Sequence, residues 1–271
     1  MDNLTLTAIL LGIVEGLTEF LPVSSTGHLI LASAVFGYAP AQWEVFNIVI
    51  QLPAVMAVVV LYWRTFMDVA RGALRGDAQS IAFVRNVLAA FIPSAILGVL
   101  LKSRIDTMLE TPIIVCFALI LGGVAILVIE RFVRPQEYQP VGRLPLPKAL
   151  AIGLMQCVSM IPGVSRSGAT IMGALTMGVN RRTAAEFSFF LAVPTMIGAT
   201  LKQLWDHRDE LAAGSNAVGL REIAIGSVVS FLVSLVVIKF FIGFVSKSGF
   251  TPFAWYRIIV GALAMAWLLW V

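Results

Sequence analysis

Long apolar runs bounded by charge set the pattern of this chain. Residues 45–63, 86–101, 113–129, 184–201, 223–241 and 253–271 are six such runs, each near the roughly 20 residues that carry a helix across about 30 Å of hydrocarbon. Two further stretches, 4–38 and 146–179, are apolar but interrupted. The first holds Glu15, Glu19, Pro22, Ser24, Ser25, Gly27 and His28 in its middle; the second holds Gln156, Ser159, Pro162, Gly163, Ser165, Arg166, Ser167 and Gly168. Charged groups at the bilayer centre are costly, and irregular backbone at that depth is tolerated only inside protein or beside water. Each stretch therefore predicts a re-entrant helix–loop–helix that enters and leaves on one side. The expected fold class is an all-α polytopic membrane protein, with six transmembrane helices plus two re-entrant units in a single integral membrane domain over 1–271.

A shift of 141 positions superposes the two interruptions. Gly12 meets Gly153, Glu15 meets Gln156 and Thr18 meets Ser159, and the run from Val23 to Gly27 meets that from Val164 to Gly168. Without a gap, the same shift places Phe46 on Phe187, Asn47 on Ser188 and Pro53 on Pro194. Apolar stretches often match by chance, but not at one constant offset across two motifs, so the halves read as repeats over about 4–131 and 145–271. Each half has one re-entrant unit and three crossings. An odd number of crossings turns the second half upside down, which predicts an inverted-topology repeat with its site near mid-membrane where the halves meet.

Composition supports this frame. Of 271 residues, 59% are hydrophobic and 13% charged, against about 25% charged in a soluble domain, and mean hydropathy is +0.93. The formal charge of +4 is a topology signal. With Arg64, Arg71, Arg75 and Arg85 in the cytoplasm, thirteen Lys and Arg fall on that side, Arg257 among them, against five outside; Arg166 is set aside as a motif residue. The bias favours both termini outside. No basic run with interleaved aromatics exists, so nucleic acid is not an expected partner. Cys116 and Cys157 form no metal or redox pattern and read as packing residues. No signal-peptide pattern opens the chain, so its start is expected to belong to the mature protein. Trp43, Trp63, Trp205 and Trp270 fall near predicted span ends, as interfacial aromatics do. His207, within a charged outer loop, reads as a solvated bystander.

The interruptions carry the candidate chemistry. Glu15 and Glu19 stand four apart, on one helical face, and two carboxylates in low dielectric suit a divalent metal or a general base. Ser24, Ser25, Thr26 and Gly27 after a proline suit a tight loop whose amides face an anion. In the second motif, with Ser165, Ser167, Gly168 and Thr170 around it, Arg166 suits bidentate contact with phosphate oxygens. Beside these groups His28 reads as an acid–base residue. The bland alternative is that the acids and Arg166 only pair to hold the loops, but one arginine does not account for two acids, a histidine and several hydroxyls. Asn47 and Glu186 read as packing or capping residues. Together the parts suit phosphoryl transfer on an anionic, membrane-dissolved substrate.

The runs Glu15 to His28 (EGLTEFLPVSSTGH) and Pro162 to Thr170 (PGVSRSGAT) closely resemble the bacitracin-resistance family of undecaprenyl-diphosphate phosphatases. The stretches Ala185 to Pro194 and Phe253 to Arg257 resemble it too, so the likeness spans essentially the whole chain. The resemblance implies hydrolysis of undecaprenyl diphosphate to the monophosphate carrier of peptidoglycan synthesis, in the bacterial inner membrane, with a site opening to the periplasm. It implies Ser25 as nucleophile, a choice over Ser24 that the residues themselves leave open. It also implies Glu15, Glu19, His28 and Arg166 as catalytic or metal-associated, and Mg²⁺ or Ca²⁺ as cofactor. Gln156 and Met160 replace the two acids in the second half, so one active site per chain is expected.

A lipid-phosphate transporter or flippase is the rival reading, because inverted repeats with broken helices are also transporter architecture. A non-catalytic membrane protein is a weaker one, since packing alone does not call for this many buried polar groups. Self-association as a homodimer is left open by an apolar surface that faces lipid.

Overall fold

A computed structural model describes residues 3–270 apart from 39, 110, 135, 207 and 209–217. His207 and Asp209 therefore lie outside the described residues. The described chain is helical: α1 (Asn3–Thr18), α2 (Ser25–Val35), α3 (Glu44–Val49), α4 (Gln51–Leu61), α5 (Trp63–Leu74), α6 (Ala78–Leu100), α7 (Lys102–Leu109), α8 (Pro112–Phe132), α9 (Leu146–Gln156), α10 (Arg166–Thr176), α11 (Arg181–Asp206), α12 (Leu220–Ser248) and α13 (Thr251–Trp270). Among the described residues, six segments are long and apolar enough to cross a membrane: Glu44–Leu61, Ala78–Leu100, Pro112–Phe132, Arg181–Asp206, Leu220–Ser248 and Thr251–Trp270. Their outward faces stay apolar, with Leu121, Phe240 and Leu263 each about two-thirds exposed. Large apolar side chains in that position suit lipid and not water.

The six expected runs are all present, with local corrections. The second span starts at Ala78 and not near Asn86, because Asp77 caps it: the carboxylate accepts from the Ser80 amide at 2.8 Å. The first span is broken at Ile50 into α3 and α4. Pro53 lacks the amide that would continue the ladder, and Ser230 on α12 donates to the Ile50 carbonyl at 3.0 Å. Trp43 is no interfacial aromatic. It is 1% exposed and packs edge-on against Phe46, whereas Trp63, Trp205 and Trp270 are exposed. Arg257 does not belong in the cytoplasmic charge count, since it is buried inside the bundle. Both cysteines are free, Cys116 buried and Cys157 partly so. Two surface helices, α5 and α7, were not foreseen; neither has a buried residue.

The short helices pack across the sequence. α1 lies on α12, and α9 lies on α6. Glycines allow both approaches: a Cβ on Gly12 would stand 2.7 Å from the Gly226 carbonyl, and one on Gly153 would stand 2.3 Å from the Ala90 carbonyl. These are the two glycines that the 141-residue shift equates. α8 packs on α13, and α4 on α11 and α12. The polar turns after α1 and before α10 are held inside this frame.

Candidate active site

Both polar turns end in the same device. Ser24 and Ser165 are the only non-glycine residues at positive φ among the described residues, at 72° and 77°. Such a backbone is strained by roughly 1–3 kcal/mol and persists where its surroundings hold it. Here each serine side chain caps the helix that it opens, accepting from the Gly27 amide at 3.3 Å and from the Gly168 amide at 3.0 Å. Small residues are required at those positions. A Cβ on Gly27 would press on Val115 at 2.9 Å, and one on Gly168 would meet Ser165 at 3.1 Å. The amides ahead of these caps, at the start of α2 and α10, have no partner within their own helix, and such positions favour anions.

Glu19, just past the end of α1, is the hub. Its Oε2 accepts from the Ser25 hydroxyl at 2.5 Å, and its Oε1 accepts from Arg166 Nη2 at 2.9 Å. The ion pair is buried on both sides. Arg166 is aimed from behind, where Nη1 donates to the Ser188 carbonyl at 3.0 Å, and Ser188 shares a 2.7 Å hydrogen bond with the Thr170 hydroxyl. Ser167 ties the two turns together by donating to the Leu21 carbonyl at 2.7 Å, and Ser165 stands 3.0 Å from Ser167. Thr26 is half-buried at the first turn of α2.

Glu15 is fully buried and neither carboxylate oxygen has a hydrogen-bond partner. Its electrostatic neighbours are Glu19, Arg166 and Ser25. A buried carboxyl group left this way needs a proton, a water or a cation to satisfy it. The donor set that a divalent ion would find is two carboxylates. Glu15 and Glu19 are a pair, and among the described residues no cluster of three His, Cys, Asp or Glu exists. That matches Mg²⁺, which keeps waters and takes one or two carboxylates together with substrate phosphates.

The structure thus gathers Glu15, Glu19, Ser25 and Arg166 at one point. It does not bring His28 into contact with them. His28 Nδ1 lies 2.7 Å from the Ser24 carbonyl, which can only accept, so Nδ1 carries the proton. Nε2 then accepts from the Tyr256 hydroxyl at 2.8 Å. Of the two residues read as packing or capping, Glu186 pairs with Arg182 at 2.9 Å, while the buried Asn47 Oδ1 has no hydrogen-bond partner.

Three residues escaped the sequence reading as site components. Ser188 aims Arg166; the shift that equates it with Asn47 marked the position but not the job. Tyr256 holds His28, and Arg257 reaches both turns. Nη1 of Arg257 donates to the Pro22 and Val164 carbonyls, each at 2.9 Å, and Nη2 to the Gly163 carbonyl at 2.9 Å. The available signal was an arginine inside an apolar run, which is costly and seldom idle.

The chain is similar to proteins of one family along nearly its whole length. The model of the family described as bacitracin resistance protein BacA matches residues 8–263. A protein of Novosphingobium aromaticivorans named undecaprenyl-diphosphatase is 62% identical over 99% of this chain and 99% of its own length. Proteins of the same name from Rhizorhabdus wittichii and Sphingopyxis alaskensis are 58% and 55% identical, over 99% and 97% of this chain and 99% and 98% of theirs.

Proposed function

We infer that this chain, which belongs to the bacitracin resistance protein BacA family, is an undecaprenyl-diphosphate phosphatase of the bacterial membrane. The observation that carries the chemistry is the Ser25–Glu19–Arg166 line: a hydroxyl on a carboxylate, and that carboxylate on a guanidinium. Ser25 Oγ gives its proton to Glu19 and attacks the terminal phosphorus, while the bond from that phosphorus to the bridging oxygen breaks and undecaprenyl phosphate leaves. Glu19 passes that proton to the departing phosphate; the ionised carboxylate then takes a proton from the water that attacks the phosphoserine and returns it to Ser25 Oγ as inorganic phosphate leaves. Arg166, held by Ser188, faces the charge that develops on the equatorial oxygens, and the opening amides of α2 and α10 add donors of fixed direction. Glu15, with Glu19 beside it, would hold Mg²⁺ or Ca²⁺, which neutralises charge on the diphosphate oxygens. His28 lies one helical turn from Ser25 and exchanges protons outward through the Tyr256 hydroxyl. Ser24, Thr26, Gly27, Ser165, Ser167, Gly168 and Thr170 shape the phosphate cradle, mostly through caps and backbone.

For the membrane arrangement, the reading is that the two turns are tips of re-entrant units from opposite faces, in inverted repeats over about 4–131 and 145–271. The equal left-handed serines, the equal caps and the equal glycine crossings support it. The charge bias, twelve against five once Arg257 is removed, supports a cytoplasmic side at Arg64 to Arg85; that the site opens to the periplasm is what the family resemblance implies. Carriage of the lipid without chemistry does not call for a hydroxyl set 2.5 Å from a buried carboxylate. The test is phosphate release from undecaprenyl diphosphate by purified protein in detergent with Mg²⁺. Steady release is expected; tight binding without release would overturn the reading in favour of carriage.

A further inference from the structure

We propose that Arg257 is a positioning residue for the phosphatase reaction, the clamp that fixes the two half-sites in one geometry; this rests on the reading of the site as a phosphatase. A guanidinium has five N–H donors. Those of Arg257 reach five main-chain carbonyls: Pro22 and Val164 from Nη1, Ala118 at 3.0 Å and Gly163 at 2.9 Å from Nη2, and Leu119 at 3.3 Å from Nε. Arg257 is 1% exposed, and among the described residues it forms no ion pair. A buried charge without a counter-charge is destabilising against an apolar side chain of similar volume, so stability alone is a poor reason for it.

The choice of carbonyls shows what the clamp does. Pro22 and Gly163 are equated by the 141-residue shift, and both lie just before the left-handed serines. One side chain on α13 therefore grips both turns at the same point of each and ties them to α8. In a trans peptide the amide points opposite to the carbonyl. Drawing the Val164 carbonyl onto Arg257 therefore turns the Ser165 amide to the other face, ahead of the amides that open α10. The packing is built around this group: a Cβ on Gly122 would stand 2.0 Å from Arg257 Nη2, so that position on α8 leaves room for the guanidinium. The neighbouring Tyr256 hydroxyl holds His28, so two adjacent residues of α13 orient both sides of the first motif.

The test uses Arg257→Lys, Arg257→Gln and Gly122→Ala. Gly122→Ala keeps the arginine in the sequence but displaces its guanidinium, and it improves the intrinsic helix propensity of α8. Phosphate release by wild type and variants is measured in detergent with Mg²⁺, per folded molecule as judged by thermal unfolding, with kcat and KM separated. All three variants are expected to lower kcat per folded molecule by about tenfold or more, as misplacement by about 1 Å does, with KM changed far less. Lysine, with three donors from one point, is expected to rescue only part. If folded Arg257→Gln and Gly122→Ala turn over near the wild-type kcat, the inference falls alone; so it does if activity falls only in step with the folded fraction. If wild type releases no phosphate, the phosphatase reading falls first and takes the inference with it.

Discussion

Ser24 and Ser165 stand 141 positions apart and share one unusual backbone state, φ 72° and 77°, each with its hydroxyl accepting from the glycine amide three residues on. Strain and compensation occur together at both places, and the two helices that begin there, α2 and α10, carry Ser25 and Arg166 as their first residues. The conformation of one residue thus sets where the Ser25 and Arg166 side chains start.

That coupling makes the order of substitutions at Ser24 informative for stability. Ser24→Ala loses the cap, at about 1 kcal/mol, and keeps a Cβ at positive φ. Ser24→Gly also loses the hydroxyl, but glycine adopts this conformation without strain. Thermal unfolding in detergent is expected to rank wild type above Gly and Gly above Ala. The reverse order of Gly and Ala would mean that the left-handed turn is not what the fold requires.

Arg166→Lys is expected to lower kcat by about a hundredfold or more, because one ammonium does not reproduce a planar fork. In the folded protein that fork bridges Glu19 and the Ser188 carbonyl. Removing the charge altogether, as in Arg166→Met, leaves Glu19 buried and unpaired and is expected to cost roughly 3–5 kcal/mol of stability. Steady-state kinetics and thermal unfolding check the two parts separately.

The glycine crossings predict a defect far from the chemistry. Gly12→Ala and Gly153→Ala each drive a methyl into a main-chain carbonyl, 2.7 Å away at Gly226 and 2.3 Å away at Ala90. Each is expected to destabilise by about 1–3 kcal/mol, with Gly153→Ala the worse of the two. A lowered unfolding midpoint in both variants is the expected result.

Glu15 has a metal-specific prediction. Its two oxygens are buried and without a hydrogen bond, so Glu15→Gln removes a carboxyl group that the metal reading needs and no hydrogen bond occupies. Titration of activity with Mg²⁺ is expected to need about tenfold more metal in the variant, and chelation is expected to silence wild type. Direct binding of Mn²⁺, followed by electron spin resonance without substrate, is expected to weaken in parallel.

Much of this was legible in the chain, for identifiable reasons. Six crossings followed from long apolar runs, since lipid admits no other backbone solution than satisfied helices or closed barrels. Pairing of the acids with Arg166 entered the sequence reading only as the bland alternative, yet Glu19 and Arg166 do pair. What escaped were relations between positions distant in sequence that no periodicity encodes. Arg257 was counted as a cytoplasmic charge because a boundary residue and a buried clamp look alike in composition. Trp43 read as an interfacial aromatic, yet its ring is buried against Phe46. The early start of the helix at Ala78 depended on one cap, Asp77, outside the apolar run that defined the span. His28 was grouped with the acids by proximity in sequence, but a helical turn carries its ring to Ser24 and Tyr256.

The most direct test of the central claim is turnover of Ser25→Ala against wild type, measured as phosphate released from undecaprenyl diphosphate with Mg²⁺, on protein shown to be folded by its unfolding midpoint. The account predicts loss of kcat by at least about a thousandfold, as removal of a nucleophile brings, with lipid binding retained. Near wild-type turnover by folded Ser25→Ala would contradict it.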